Sequence, residues 1–134
     1  MRTFTISTKH RSEFVEITAQ VRQAVRDSGL KSGICVVYCP HTTAGVTIQE
    51  NADPDVVHDM LLWLDDHIPK DVRGFRHAEG NSDSHLKSSL IGSSVTIIVE
   101  NGQLVFGTWQ GVYFCEFDGP RSRKVHVQTI GNVG

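Results

Sequence analysis

Three histidines stand where separate polar segments of the sequence could bring their side chains together. His41 follows the apolar run "SGICVVYCP", His77 lies in a long polar connection, and His85 stands in the first turn of a predicted short helix. Neutral imidazoles from three elements can form an open metal site in which water or a substrate takes the fourth position. The pattern predicts a metal centre at His41, His77 and His85, and exposed or hydrogen-bonded histidines are the alternative.

Acidic side chains accompany these histidines. Glu50 precedes the start of the second predicted helix, and Glu79 and Asp83 lie between His77 and His85. A carboxylate beside a metal-binding histidine can orient its ring or act as a general base. We therefore consider Glu50, Glu79 and Asp83 as candidate catalytic residues.

The predicted helix in "SHLKSSLIG" could also bind an anion. Free N–H groups at a helix N-terminus attract phosphate, and Lys87, Ser88 and Ser89 would add hydrogen-bond donors. The alternative is that Asp83 or Ser84 caps the helix while Lys87 is a solvated charge.

The stretch "GTWQG" contributes two further polar or aromatic candidates. Gln110 could hydrogen-bond a ligand, whereas Trp109 is expected to pack in the core.

The helices that must position these residues have recognisable ends. The first is predicted to begin at a Thr18 N-cap and to stop at Gly29. "NADPDVVHDMLLWLDDHIP" has the clearest helix start, because Asp53 can cap and Pro54 suits the first helical position. Its buried stripe is predicted to comprise Val57, Met60, Leu61 and Leu64.

The remaining segments read as strands. "RTFTIST" and "EFVEIT" predict a hairpin, and Asn101-Gly102 predicts a type I′ turn in a second hairpin. The run "GVYFCEFDGPRSRKVHVQTI" predicts a further hairpin that turns around Asp118-Gly119-Pro120. The sequence thus predicts one α+β domain, residues 1–134, with an antiparallel sheet or sandwich-like core and about three helices.

Composition narrows the function classes. The net charge of -2 and pI near 6.4 argue against nucleic-acid binding. No apolar run is long enough for a membrane helix and no signal-peptide pattern opens the chain, so we expect a cytoplasmic protein without a membrane partner. Cys35, Cys39 and Cys115 lie in apolar runs, which predicts buried, reduced thiols.

Three long motifs resemble the YjbQ-like family of small proteins. They are "HTTAGVTIQENADPDV", "RHAEGNSDSHLKSSLIGSSVTIIVENGQLVFGTWQG" and "EFDGPRSRKVHVQ", and the resemblance covers almost the whole chain. It implies an α+β fold with a sandwich-like core, assembly as a homotrimer, and a weak thiamine-phosphate synthase activity. Carried over by position, the polar set of the family falls on residues His41, Glu50, Asn51, His77, Glu79, Asn81, Asp83, His85, Lys87, Ser88, Trp109 and Gln110.

Three functions follow as expectations. The first is a transferase that joins a pyrimidine-methyl diphosphate to a thiazole phosphate, with a divalent metal at the histidines, either zinc or, for a diphosphate substrate, magnesium. The second is a metal-dependent hydrolase of a small phosphorylated or acyl substrate, and the third is a trimeric metabolite-binding or metal-binding protein. In the enzymatic cases the substrate contacts are expected from residues Asn51, Asn81, Lys87, Ser88 and Gln110.

Overall fold

A computed structural model describes the whole chain, residues 1–134, as eight strands and three helices. The strands are β1 Arg2–Ser7, β2 Glu13–Glu16, β3 Ser32–Tyr38, β4 Ala44–Glu50, β5 Ser94–Glu100, β6 Gln103–Leu104, β7 Gln110–Glu116 and β8 Ser122–Asn132. The helices are α1 Thr18–Ser28, α2 Pro54–His67 and α3 Ser82–Ile91. No helix combines the length and the apolar character needed to cross a membrane.

The strands form two antiparallel sheets that enclose one main core. The larger sheet has the order β1-β8-β3-β5-β6 and the smaller one the order β2-β7-β4. Side chains alternate along each strand, so Cys35 and Val37 of β3 point inward and are fully buried. They share their core with Val125 of β8 and Phe114 of β7, and α1 adds Val21. The predicted α+β class with a sandwich-like antiparallel core is confirmed.

Two of the predicted hairpins are wrong. β1 and β2 lie in different sheets, as do β7 and β8, because β1 pairs with β8 and β2 pairs with β7. The chain therefore crosses from one sheet to the other at two adjacent corners. Backbone hydrogen bonds join these corners, from Thr8 N–H to the Arg121 carbonyl at 3.0 Å and from Gly119 N–H to the Arg11 carbonyl at 3.0 Å. Alternation along a strand shows which side is buried but not which strand is its partner.

The helix ends agree with the sequence in part. Asp53 caps α2 by accepting the Asp55 N–H at 2.9 Å, and Gly29 ends α1 in the left-handed conformation with φ 72°. The predicted Thr18 cap is wrong, because Thr18 lies inside α1 and its hydroxyl accepts the Val112 N–H.

Two further local predictions can be compared with the structure. Of the predicted stripe on α2 only Leu64 is fully buried, because this helix packs at the edge of the domain. The Asn101-Gly102 turn is confirmed, with φ values of 53° and 73°.

The three cysteines are free and buried, as predicted. Burial raises the pKa of Cys35 to about 11 and also raises the pKa values of Cys39 and Cys115. These thiols are therefore protonated structural residues and not nucleophiles.

Candidate functional site

A polar pocket of about 320 Å³ lies where the β3–β4 connection, the start of α3 and the β7–β8 corner meet. Its walls include no aliphatic or aromatic hydrophobic side chain. The lining residues are Pro40, His41, Thr42, Thr43, Glu79, Asn81, His85, Asp118, Arg121 and Arg123. Four residues predicted from the sequence thus share one pocket, namely His41, Glu79, Asn81 and His85.

Asn81 presents a buried acceptor that no group of the protein satisfies. Its side chain is 8% exposed, and its Nδ2 donates to Asp118 Oδ2 at 2.8 Å. A carboxylate only accepts hydrogen bonds, so this contact fixes the amide orientation and turns Oδ1 away from Asp118. Oδ1 has no partner and is the only buried side-chain polar atom of this kind in the protein. Leaving such an acceptor unpaired costs about 1–3 kcal/mol, which a bound cation or donor would recover.

His41 is held as a neutral imidazole. Its Nε2 accepts the Lys124 backbone N–H at 2.9 Å, so in the neutral ring the proton is on Nδ1. Burial lowers the pKa of His41, and the nearby positive charge of Arg123 lowers it further. Nδ1 is therefore the only ring nitrogen of His41 available to a ligand, and in the neutral ring it is a hydrogen-bond donor.

His77 and His85 lie side by side. Their ring centroids are 5.4 Å apart with the planes at 86°, and His85 also lines the pocket of His41. His77 faces a neighbouring cavity of about 470 Å³ beneath the connection between α2 and α3. No three His, Cys, Asp or Glu side chains in the chain come close enough to hold a metal ion without some movement. The structure therefore brings the three histidines near one another but does not close a His₃ centre.

Asp83 and Lys87 belong to a buried ion cluster on another face of α3. Asp83 is fully buried and accepts from Arg11 at 3.0 and 3.1 Å and from Lys87 at 3.2 Å. Lys87 is 2% exposed and also donates to Asp65 at 2.7 Å. Burial alone would raise the pKa of Asp83, but hydrogen bonds from Arg11 and Lys87 hold it below its ordinary value.

At the start of α3 the structure differs from both expectations, the helix caps and the solvated lysine. Asn81 precedes the helix and no side chain caps it, so the predicted caps at Asp83 and Ser84 are wrong. The alternative of a solvated Lys87 is also wrong, because the ammonium group is buried between two carboxylates. Neither Asp83 nor Lys87 lines the pocket of His41.

Contacts with β4 fix the position of α3. Ser88 Oγ donates to the Ala44 carbonyl at 2.9 Å, and the Val46 N–H donates to the Gly92 carbonyl at 3.1 Å. A Cβ atom at Gly45 would lie 2.6 Å from the Gly92 carbonyl oxygen, so only glycine permits this close approach. Ser88, predicted to bind substrate, has its hydroxyl engaged in this packing.

A second buried ion pair, which the sequence analysis missed, lies behind the pocket. Arg123 is 3% exposed, and its Nη2 contacts Glu116 Oε2 while its Nε donates to Glu116 Oε1 at 2.9 Å. Arg123 Nη2 also donates to Thr43 Oγ1 at 2.8 Å. Burial opposes ionisation of Glu116, but hydrogen bonds from Arg123 and Thr8 lower its pKa. The available signal was Glu116 within the otherwise apolar run "VYFCEF".

The remaining predicted residues lie at the opposite end of the smaller sheet. Glu50 is paired with Gln110 at the end of β4, and Asn51 Nδ2 donates to Glu16 Oε2 at 2.9 Å. Trp109 is 60% exposed, so its predicted place in the core is wrong. β4 has seven residues, and a rise of about 3.3 Å per residue separates this end from the pocket by about 20 Å. Within one chain, the structure does not bring Glu50, Asn51 and Gln110 to the histidines.

Comparisons with known proteins place the chain among related sequences and structures. Residues 2–132 match the family described as UPF0047 protein YjbQ-like. The chain is 50% identical to UPF0047 protein YugU of Bacillus subtilis, covering 98% of this chain and 99% of the relative. It is 53% identical to UPF0047 protein MJ1081 of Methanocaldococcus jannaschii, covering 96% and 93%.

Solved structures agree with these relationships. An uncharacterised YjbQ/UPF0047 protein from Clostridium acetobutylicum superposes with a TM-score of 0.94 at 55% identity, covering 97% of this chain and 100% of that one. A YbjQ-like protein of unknown function from Sulfolobus solfataricus gives a TM-score of 0.92 at 32% identity, covering 98% and 96%.

Proposed function

The chain belongs to the YjbQ-like UPF0047 family, and we propose that it is a small-molecule enzyme that binds a divalent metal and a phosphorylated metabolite in the polar pocket. The observation that carries this proposal is the buried, unpaired Asn81 Oδ1 beside a pocket that His41, Glu79 and His85 also line. A protein that keeps such an acceptor unpaired tolerates a cost that a ligand can offset.

The donor set suits a divalent cation. The imidazole of His85 and the carboxylate of Glu79 are ordinary zinc ligands, and His77 lies beside His85. The oxygens of Glu79 and Asn81 would instead suit magnesium. When bound, the metal would supply positive charge that polarises or neutralises phosphate oxygens. His41 would hold its present place as a donor through Nδ1, since its Nε2 is occupied by the Lys124 N–H.

Arg121 is the residue best suited to hold a phosphate group. Its side chain is half exposed and lines the pocket, and its Nη2 donates to Asp118 Oδ2 at 3.0 Å, which orients the guanidinium. The planar guanidinium has further donors that fit the geometry of phosphate oxygens. The pocket contains two carboxylates, Glu79 and Asp118, and the cation Arg121. The carboxylates attract a metal ion and the guanidinium attracts phosphate, so the pocket suits a metal–phosphate pair better than either ion alone.

The reaction that we propose is the joining of a pyrimidine-methyl diphosphate to a thiazole phosphate. The thiazole ring nitrogen bonds to the methylene carbon while the carbon–oxygen bond to diphosphate breaks, and diphosphate leaves with the bonding electrons. No proton has to move in this step. Arg121 and the Nδ1–H of His41 would stabilise the negative charge of the departing group. The support for this chemistry is the motif resemblance together with the character of the pocket.

The proposal includes self-association as a homotrimer. On the outer face of the larger sheet, Ile34 is paired with Ile98 on one side and Ile130 on the other, and Ile98 and Ile130 are about 60% exposed. Tyr38 continues this apolar face and is 46% exposed. Contact between copies would bury these side chains.

The test begins with protein purified without added metal. Bound metals are measured by mass spectrometry, zinc and magnesium affinities by calorimetry, and thiamine-phosphate formation and generic phosphatase and esterase turnover by product analysis. His85→Ala is compared with His58→Ala, a matched control whose side chain is 70% exposed on α2. We expect metal binding and joining activity in the wild type and the control, with at least a ten-fold loss in His85→Ala.

The other outcomes of these assays distinguish the alternative functions. Hydrolysis without joining would replace the proposed reaction with the hydrolase alternative, and metal binding without turnover would support a binding protein. The proposal is refuted if no metal binds and His85→Ala matches the wild type in every assay.

A further inference from the structure

A second pocket, of about 350 Å³, lies between the C-terminal end of α1 and the β5–β6 turn. Three of its lining residues are cationic, namely Arg22, Arg26 and Lys31, and none is acidic. Its apolar floor consists of the buried side chains Val25, Leu30 and Leu104. We call this the basic pocket.

The three cations have no ionic partner in the protein. Five other basic residues form salt bridges with carboxylates, whereas Arg22, Arg26 and Lys31 form none. The acidic residues nearest in the sequence are engaged elsewhere, Asp27 with Arg2 and Glu100 with Ser32 Oγ at 3.5 Å. In a chain with a net charge of -2, this is a local concentration of unpaired positive charge.

Neighbouring side chains hold two of these cations in place. The Arg22 guanidinium carbon lies 5.8 Å from the centroid of the Phe106 ring, within the range of a cation–π contact. Arg26 Nη2 donates to Gln23 Oε1 at 2.8 Å. Both contacts reduce the freedom of the side chains without neutralising their charge. Like charges arranged in this way repel one another, and a bound anion relieves the repulsion.

We propose that the basic pocket binds a small anion with at least two negative charges, of the class of phosphate esters and diphosphates. Arg22, Arg26 and Lys31 supply the charge, and the amide side chains of Asn101 and Gln103 on the β5–β6 turn supply neutral donors. The pocket volume is within the range of about 300–1,000 Å³ that is typical of small-ligand sites. The seven residues of β3 separate this pocket from His41 by about 20 Å, so the site is distinct from the candidate active site.

The probe is inorganic pyrophosphate, titrated into the full chain by calorimetry in metal-free buffer at constant ionic strength. Arg22→Gln/Lys31→Gln removes two charges of the pocket, and Lys9→Gln/Arg76→Gln removes the same charge from exposed residues outside it. A third variant, Arg121→Gln, reports on the candidate active site. We expect the dissociation constant to rise at least ten-fold in the first variant and to change less than two-fold in the second, and we expect Arg121→Gln to keep the binding event that the first variant loses.

Three results would overturn the proposal. Pyrophosphate fails to bind the wild type, or the two double variants lose affinity equally, or only Arg121→Gln loses it. The second result would indicate non-specific attraction, and the third would place the anion in the candidate active site. Circular dichroism of each variant verifies that it is folded.

Discussion

Replacing Lys87 with Met removes one positive charge from the interior while it keeps most of the side-chain volume. Lys87 donates to Asp65 at 2.7 Å and to the fully buried Asp83 at 3.2 Å. Removing one partner of a buried ion pair costs about 3–5 kcal/mol, because the other charge is left uncompensated. Here Arg11 still donates two hydrogen bonds to Asp83. We therefore expect Lys87→Met to lower the free energy of unfolding by about 2–4 kcal/mol.

The matched control is Asp65→Asn, which breaks the other ion pair of the same lysine. The Asp65 side chain is 56% exposed, so water screens this pair and replaces the lost partner. We expect a loss of less than about 1 kcal/mol. Both variants are unfolded in urea at one protein concentration and followed by far-UV circular dichroism, because the stability of an oligomer depends on concentration.

Two results would refute the structural role of Lys87. One is a loss for Lys87→Met that is no larger than the loss for Asp65→Asn. The other is a Lys87→Met variant of normal stability that no longer binds phosphate ligands. The second result would restore the anion-binding role that the helix pattern predicted.

Three further predictions follow from the buried groups and the close packing. The pKa values of Glu116 and Asp83 are lowered in the folded state, so the unfolded chain binds more protons in acid; urea unfolding at several pH values should show a steep loss of stability as the pH drops below about 4.5, after a smaller loss below about pH 6.5 that comes from the lowered pKa of His41. Stability that stays constant from about pH 5 down to about pH 3 would contradict this. His41 should titrate below the ordinary histidine value of about 6.5 because of burial and the charge of Arg123, with its neutral proton on Nδ1, as nitrogen NMR can measure; an ordinary pKa would contradict that environment, and a neutral proton on Nε2 would disprove the hydrogen bond from Lys124. Gly45→Ala should cost more than about 2 kcal/mol in urea unfolding, because its Cβ would meet the Gly92 carbonyl oxygen at 2.6 Å, and a wild-type midpoint would show that α3 can move away from β4.

Local signals in the sequence predicted local structure well. Asp53-Pro54 begins α2 and Asn101-Gly102 forms the tight turn, because each depends on the conformational preference of one or two residues. Partners that are distant in the sequence were not predictable in this way. The pairing of β1 with β8 depends on how two sheets pack, which the alternation within either strand does not encode.

The residues of the candidate site were likewise predictable only in part. The sequence indicated His41, Glu79, Asn81 and His85, and the structure gathers them around one pocket. It did not indicate Arg121, which approaches the pocket only because the β7–β8 corner crosses between the sheets. Charged residues inside a fold leave a weak signal in a single sequence, since an isolated acid or base resembles any surface residue.

The position of the Glu116–Arg123 pair bears on the proposed function. A buried ion pair often stabilises a protein no more than hydrophobic residues of equal volume, so stability alone is a weak reason for it. This pair instead joins two walls of the pocket. Arg123 holds Thr43 on one side, and Glu116 accepts the N–H of Asp118, whose carboxylate orients Asn81 on the other. Because both walls depend on one ion pair, Glu116→Gln should weaken metal and phosphate binding together, even in molecules that remain folded.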